Sequence, residues 1–436
     1  MMQTQVATMS ALEAEGHDMH AFMARAFPIC RSITGNGVRQ TLDLVGEHLP
    51  LKIHEVPTGT PVFDWEVPRE WNIREAWIAD PAGNRIVDFA DHNLHVVNYS
   101  VPVDRTLTLE ELQPHLHSLP DKPDAIPYVT SYYQERWGFC LTHAARQALE
   151  PGDYRVYIDS ELKAGSLTYA ECIIPGESED EVFLSTYVCH PSMANNELSG
   201  PTVMTWLGKW LLSAPRRYTY RIVFIPETIG SLTYLSRNLD RLKSRVKVGF
   251  NLSCIGDDRA YSYVASRYEN TLADRIIHNV LSLKHPEFIR YPYLERGSDE
   301  RQYGFPGVDL PLVSLCRSKY GRYPEYHTSL DNLELVTASG LAGGLDMVRD
   351  CLQAMEANQT YQVTCVGEPQ LGRRGLYPTM NTLDSGRQVR TILNLLAYCD
   401  GSNDLVAVSG IIGVPVKELA PLAEKLVAAD LFRRLP

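Results

Sequence analysis

No stretch of this chain approaches the roughly 18 uninterrupted apolar residues that a membrane helix needs. Its start also lacks the basic segment and apolar run of a secretory leader, since Glu13, Glu15 and Asp18 all precede the first Lys or Arg, Arg25. These two absences predict a soluble, unprocessed, cytoplasmic protein. A cationic surplus is missing as well: 41 Lys+Arg stand against 53 Asp+Glu, a formal charge of −12. That balance repels phosphate backbones and argues against nucleic acid as the main partner. The nine cysteines are odd in number and form no CxxC pair, which excludes a disulfide framework and a zinc ribbon and predicts buried free thiols. GxSxG, the Walker loop, HExxH and a full GxGxxG are absent too. Gly35-Asn36-Gly37 has neither a third glycine nor a preceding strand, so it reads as a turn.

What remains is 436 residues of which 44% are hydrophobic, enough for one large core and one or two smaller domains. From about residue 182 apolar strands alternate with amphipathic helices. Val182–Val188, Arg221–Pro226 and Val246–Ile255 read as strands; Pro201–Leu212 and Ser231–Leu242 read as helices, the first capped by Ser199; a further helix spans Thr337 to about Ala357. This alternation predicts an α/β fold with a central, mostly parallel sheet and helices on its faces. Residues 50–130 are rich in Pro, Asp and Trp, with short β-like runs at Trp77–Ala79 and Leu94–Tyr99, and read as a small β-rich insertion. The expected division is 1–49 plus 131–375 for the core, 50–130 for the insertion and 376–436 for a C-terminal module. In that module a helix, the short helix Leu405–Ile412, a turn at Gly413 and Pro415, and a longer helix Lys417–Phe432 make a winged-helix-like pattern. Six basic and six acidic side chains follow from Asp384 onward. A neutral module is a poor phosphate-binding face, so packing or subunit contact, and with it a homo-oligomer, is expected over DNA reading.

Ligand sites in parallel sheets gather at the carboxyl ends of the strands. Three segments there carry reactive side chains. Cys189-His190-Pro191 opens a polar loop through Asn195-Asn196-Glu197 to Ser199-Gly200; Pro226-Glu227-Thr228 ends the next strand; Tyr326-His327-Thr328 to Asp331-Asn332 forms a polar loop before the last core helix. Two imidazoles and a carboxylate converging on one sheet edge suit a zinc ion and a general base for its water. Taken alone, each histidine is more often structural.

These segments resemble those of the zinc aminopeptidases of the bacterial leucyl aminopeptidase type. The whole chain resembles a bacterial family of aminopeptidase-like proteins with an inserted domain of unknown function and a C-terminal winged helix, through Arg31-Ser32-Ile33-Thr34-Gly35, Thr58 to Trp65, Gly297 to Tyr303 and Tyr326 to Asn332. The resemblance implies that His190 and His327 are metal ligands and Glu227 the catalytic glutamate. It also shows a departure: Asn195, Thr228 and Ser253 stand where two aspartates and a glutamate ligate a pair of zinc ions. Without those anions two dications would repel one another, so a single zinc is expected. Glu197, in the loop of His190, is the carboxylate expected to complete its shell. Arg301, Arg322, Tyr326 and Asp299 are the expected substrate contacts, and Asp331, Asn195 and Asn196 are expected to support the ligands from behind. The implied activity is zinc-dependent hydrolysis of a small peptide or aminoacyl amide, in a cleft between core and insertion. The alternatives are a protein that kept this fold, lost its metal and binds a metabolite or partner, and a ligand-sensing regulator working through the winged helix.

Overall fold

The computed structural model describes residues 10–376 and 383–435; residues 1–9 of the expected N-terminal segment, and 377–382 and 436 of the expected C-terminal module, lie outside the described residues. The chain forms two compact units, Met1–Arg267 with Arg290–Leu345, and Tyr268–Ile289 with Asp346–Pro436.

The first unit is organised by an eight-stranded sheet in the order Lys52–Pro57, Ser166–Ile174, Tyr218–Ile225, Ser178–Tyr187, Val246–Leu252, Leu312–Cys316, Ser262–Val264, Ile289–Tyr291. Ser178–Tyr187 runs parallel to both neighbours, and Val246–Leu252 runs parallel to Leu312–Cys316. Residues 181–187 and 219–225 are buried throughout, as expected of central strands covered on both faces. The helices Ser199–Leu212 and Ile229–Arg245 provide the crossovers between these parallel strands. Gly200 marks the closest approach: a Cβ there would stand 2.4 Å from Thr186 Oγ1 and 2.7 Å from the Leu252 carbonyl, so only glycine lets the helix start that near the sheet. Ser199 does not cap this helix. A π turn, Ala194–Leu198, precedes it, and the Ser199 hydroxyl accepts from Ile255 N at 2.8 Å while donating to the Asn195 carbonyl.

Strand pairing moves the edges of the expected insertion. Lys52–Pro57 pairs with Ser166–Ile174 and so belongs to the main sheet. Asp153–Lys163, read as core, instead lies between Glu70–Ala79 and Val103–Thr108 in a four-stranded sheet completed by Arg85–Asp88. Leu94–Tyr99 is not a strand. Its backbone makes only isolated bridges and local bonds, such as Val97 N to Gly138 O and Asn98 N to Val129 O, because no partner strand runs alongside it.

The second unit carries a three-stranded sheet, Asp400–Asp404, Thr360–Val363, Phe432–Arg434, against the helices Leu405–Ile412 and Val416–Ala428. This is a winged helix, and it begins with Thr360–Val363 rather than at residue 376. The expected helix to Phe432 stops at Ala428: Asp430 takes φ 57°, and Phe432 pairs with Val363. No single described helix is long and apolar enough to cross a membrane.

Candidate active site

The carboxyl ends of Ser178–Tyr187, Tyr218–Ile225 and Leu312–Cys316 lead into three loops that meet. The loop of His190 and the loop of Glu227 are stitched together by Val188 N to Ile225 O at 2.8 Å and by Glu227 N, which donates to Cys189 Sγ at 3.2 Å. Backbone strain collects here. Ser192, Thr228, Cys254 and His327 all have φ between 43° and 64°, a region that costs a residue with a side chain of order 1–3 kcal/mol and persists only where the surroundings impose it.

His190 is buried with its two nitrogens facing different carboxylates. Nδ1 donates to Glu197 Oε2 at 2.8 Å, while Nε2 lies 3.7 Å from Glu227 Oε2. Burial pushes the His190 imidazole down, but the Glu197 bond and the two carboxylate charges outweigh it and hold the group above its ordinary value. Behind Glu197, the fully buried Arg31 places Nε 3.6 Å from Glu197 Oε1 and donates to the His190 carbonyl at 2.9 Å. His327 lies on the other side of His190, its ring centre 5.6 Å away. Burial, and then the charge of His190, push His327 down to about 3, so it is neutral; its Nε2 is buried and has no hydrogen-bond partner among the described residues. Burial also raises the Glu227 carboxyl.

His190, Glu227 and His327 line a cavity of about 430 Å³ whose wall is aromatic: Trp65, Tyr128, Tyr132 and Tyr133. The Tyr128 ring centre is 5.2 Å from those of both His190 and His327, and its hydroxyl bonds that of Tyr132 at 2.8 Å. Sequence reasoning missed this wall and the role of Arg31. The Arg31–Gly35 and Thr58–Trp65 motifs held the only signal, because they contain Arg31, the cavity residue Ile33 and Trp65.

Of the expected site residues, His190, Glu227, His327 and Arg301 line the cavity. The others do not. Glu197 sits on the Nδ1 edge of His190, so it cannot share an ion with Nε2 on the opposite edge of the ring. Cys189, His190 and Glu197 offer ligand atoms within 4.8 Å of one another, but the Arg31 guanidinium already supplies the cation on that side, and burial keeps the Cys189 thiol protonated. Asp299 is buried below the loop, where Oδ1 accepts from Thr228 N and Ser231 Oγ, each at 2.8 Å, and ties down the start of helix Ile229–Arg245. Burial, followed by the charge of Glu227, raises its carboxyl to about 8. Arg322 is exposed and pairs with Glu295. Tyr326 stacks on His327 at 3.9 Å without lining the cavity. Asp331 does not reach His327; its carboxylate accepts from Asn195 N at 2.6 Å, Asn196 N at 2.9 Å and Tyr323 OH at 2.8 Å, so it joins the two histidine loops. Asn195 spends its amide on Asp257 and Gly256, and Asn196 faces Tyr187.

Of the remaining donors, His190 and His327 offer two imidazoles at a spacing one metal ion can bridge, but together with Glu227 they form no set of three ligand atoms within 4.8 Å of one another among the described residues. Two imidazole nitrogens at about 2.1 Å from a tetrahedral zinc put their ring centres about 5.3 Å apart, close to the 5.6 Å observed, and His327 Nε2 is a buried nitrogen without a partner. They do not fit two. Asn195 is bonded elsewhere, Ser253 Oγ lies 2.6 Å from Tyr187 OH, and Thr228 Oγ1 accepts from Arg301.

Known proteins share this architecture. A Clostridium acetobutylicum protein, named for polysaccharide biosynthesis and an aminopeptidase-like domain, is 43% identical over 420 residues, 96% of each chain. The crystal structure of a candidate peptidase from the same species matches at 42% identity with a TM-score of 0.91 over 97% of each chain. A zinc aminopeptidase from Bacillus subtilis matches at 12% identity and a TM-score of 0.57, over 78% of this chain and 95% of that one; at this distance the likeness is one of fold. Residues 359–434 match a winged helix-turn-helix family. Residues 20–358 match the family described as a domain of unknown function, DUF4910, and to that aminopeptidase-like family, with its C-terminal winged helix, the chain belongs.

Proposed function

We propose that the protein hydrolyses the amide bond of a small peptide or aminoacyl amide at the floor of the cavity formed by His190, Glu227 and His327. One arrangement carries this reading: two histidine rings 5.6 Å apart, and a carboxylate 3.7 Å from one of them, face a single aromatic-walled cavity on an aminopeptidase fold. His190 Nε2 and His327 Nε2 would hold one zinc ion, with Glu227 the nearest carboxylate. A bound zinc polarises a carbonyl and acidifies its water. Glu227 takes the proton of the attacking water and hands it to the leaving amine. Glu197, bonded to Nδ1, keeps the opposite nitrogen of His190 turned to the cavity, and Tyr128 covers both rings.

The test is turnover of a panel of aminoacyl amides and dipeptides by wild type and by Glu227→Gln, with metal content measured on protein purified without chelator. Wild type should turn over and carry close to one equivalent of metal, and Glu227→Gln should keep the metal and lose 10²–10⁴-fold in rate. Unchanged turnover in the variant would sink the mechanism. A second reading, a binding protein on a peptidase fold, is favoured by the engagement of Asn195 and Ser253 in hydrogen bonds away from the cavity. Less than about a tenth of an equivalent of metal, together with an inactive wild type, would establish it over hydrolysis.

A further inference from the structure

Among the described residues, Arg301 is the Lys or Arg side chain of this cavity, and its bonds within the protein leave most of its donors unused. Its Nη2 donates to the hydroxyl of Thr228, a residue forced to φ 64°, and its Nε is buried without an acceptor. No carboxylate oxygen lies within 4.0 Å of it among the described residues, although its charge acts on the Glu227 and Asp299 carboxyls. Several arginines of the same unit are instead paired with carboxylates: Arg31 with Glu197, Arg39 with Glu55 and Glu70, Arg221 with Glu181, Arg259 with Glu325. A half-buried guanidinium with five donors is costly to leave mostly unbonded, and its planar fork matches a carboxylate in two parallel bonds. Its neighbours in the cavity are the aromatic wall, which suits an apolar or ring-bearing group, and Glu227, which repels an anion placed directly on it. An incoming acid therefore has one favourable berth, at Arg301, and would extend from there past Glu227 toward the aromatic rings.

We propose that Arg301 is the recognition residue for a free carboxylate on the ligand, so that the cavity takes small amides of α-amino acids, such as dipeptides with an unblocked C-terminus, in preference to blocked or internal ones. This deepens the hydrolase reading and rests on the same cavity. About 430 Å³ suits a ligand of dipeptide size.

The experiment is calorimetric titration of the full-length Glu227→Gln protein, which is expected to bind without turnover, with alanyl-phenylalanine and with its C-terminal amide. The free acid should bind at least tenfold more tightly. Adding Arg301→Gln should bring the two ligands within twofold of one another, while Arg301→Lys, which keeps the charge and loses the fork, should retain an intermediate preference. Equal affinities in the starting protein, a preference that survives Arg301→Gln, or no binding of either ligand would overturn the assignment. The two readings fail separately. Wild-type turnover of free and amidated dipeptides at equal kcat/KM removes the role of Arg301 and leaves a hydrolase; selective binding of the free acid with no turnover of any dipeptide removes the hydrolase and leaves a carboxylate site.

Discussion

Arg31 is 0% exposed, with its charge offset by the equally buried Glu197. Removing one partner of such a pair strands the other charge in a low-dielectric interior. Arg31→Met is therefore expected to cost about 3–5 kcal/mol, measured by urea denaturation. Removing both charges should be cheaper than the sum, because Glu197→Gln in the Arg31→Met background leaves no ion behind. Additive losses would show that Arg31 and Glu197 do not act as a pair. At this scale the sequence located His190 and Glu227 by their position after apolar strands, a local pattern. It could not say which edge of the His190 ring Glu197 approaches. That depends on the π turn Ala194–Leu198, which Asp331 anchors by accepting from Asn195 N and Asn196 N, 136 and 135 positions away in the chain. Nor did it separate Arg301 from Arg322, since two arginines in polar loops look alike until one faces a cavity and the other pairs with Glu295 at the surface.

Helix Asn36–Gly46 is fastened to two strands through one side chain. Arg39 grips Glu70, in strand Glu70–Ala79, through two bonds of 2.7 and 2.9 Å, and reaches Glu55, in strand Lys52–Pro57, at 3.0 Å. The Arg39 bonds, against the opposing effect of burial, hold the Glu70 carboxyl down at about 2. Since its folded value lies below its unfolded value of about 4.3, this contribution is fully present above pH 4–5 and is lost as pH falls toward 2. Acid unfolding should thus contain a segment of roughly 1–2 kcal/mol between about pH 4.5 and 2, reduced from the full shift by solvent screening, that disappears in Glu70→Gln. An unchanged acid profile in that variant would remove Glu70 as its cause. The strands and helices of the core were legible because apolar runs and amphipathic periodicity are written along the chain. Sheet membership was not. Asp153–Lys163 alternates in burial like any half-covered strand, and nothing local told it to pair with Glu70–Ala79 instead of the main sheet.

The C-terminal winged helix extends the neutrality of its composition into three dimensions. Lys417 pairs with Asp350 at 3.0 Å, Arg434 with Glu424, and Arg433 donates to Gln362, so these three cations of the second helix and the wing are engaged within the unit. The full chain is expected to bind random duplex DNA no more tightly than about 10⁻⁵ M at physiological salt in a fluorescence anisotropy titration, with a shallow salt dependence. Tighter binding whose logarithm falls steeply with log salt would return DNA to the list of partners. For the molecule as a whole, the sequence by itself determined the charge balance, the lack of a long apolar helix and the α/β class, because composition sums over residues and periodicity is local. The tertiary structure decided which side chains share the cavity: Arg31 meets the His190 carbonyl across 159 positions, and Trp65 and Tyr128 arrive from outside the parallel core. Such meetings depend on which distant segments can close and pack together, and no window along the chain carries that information.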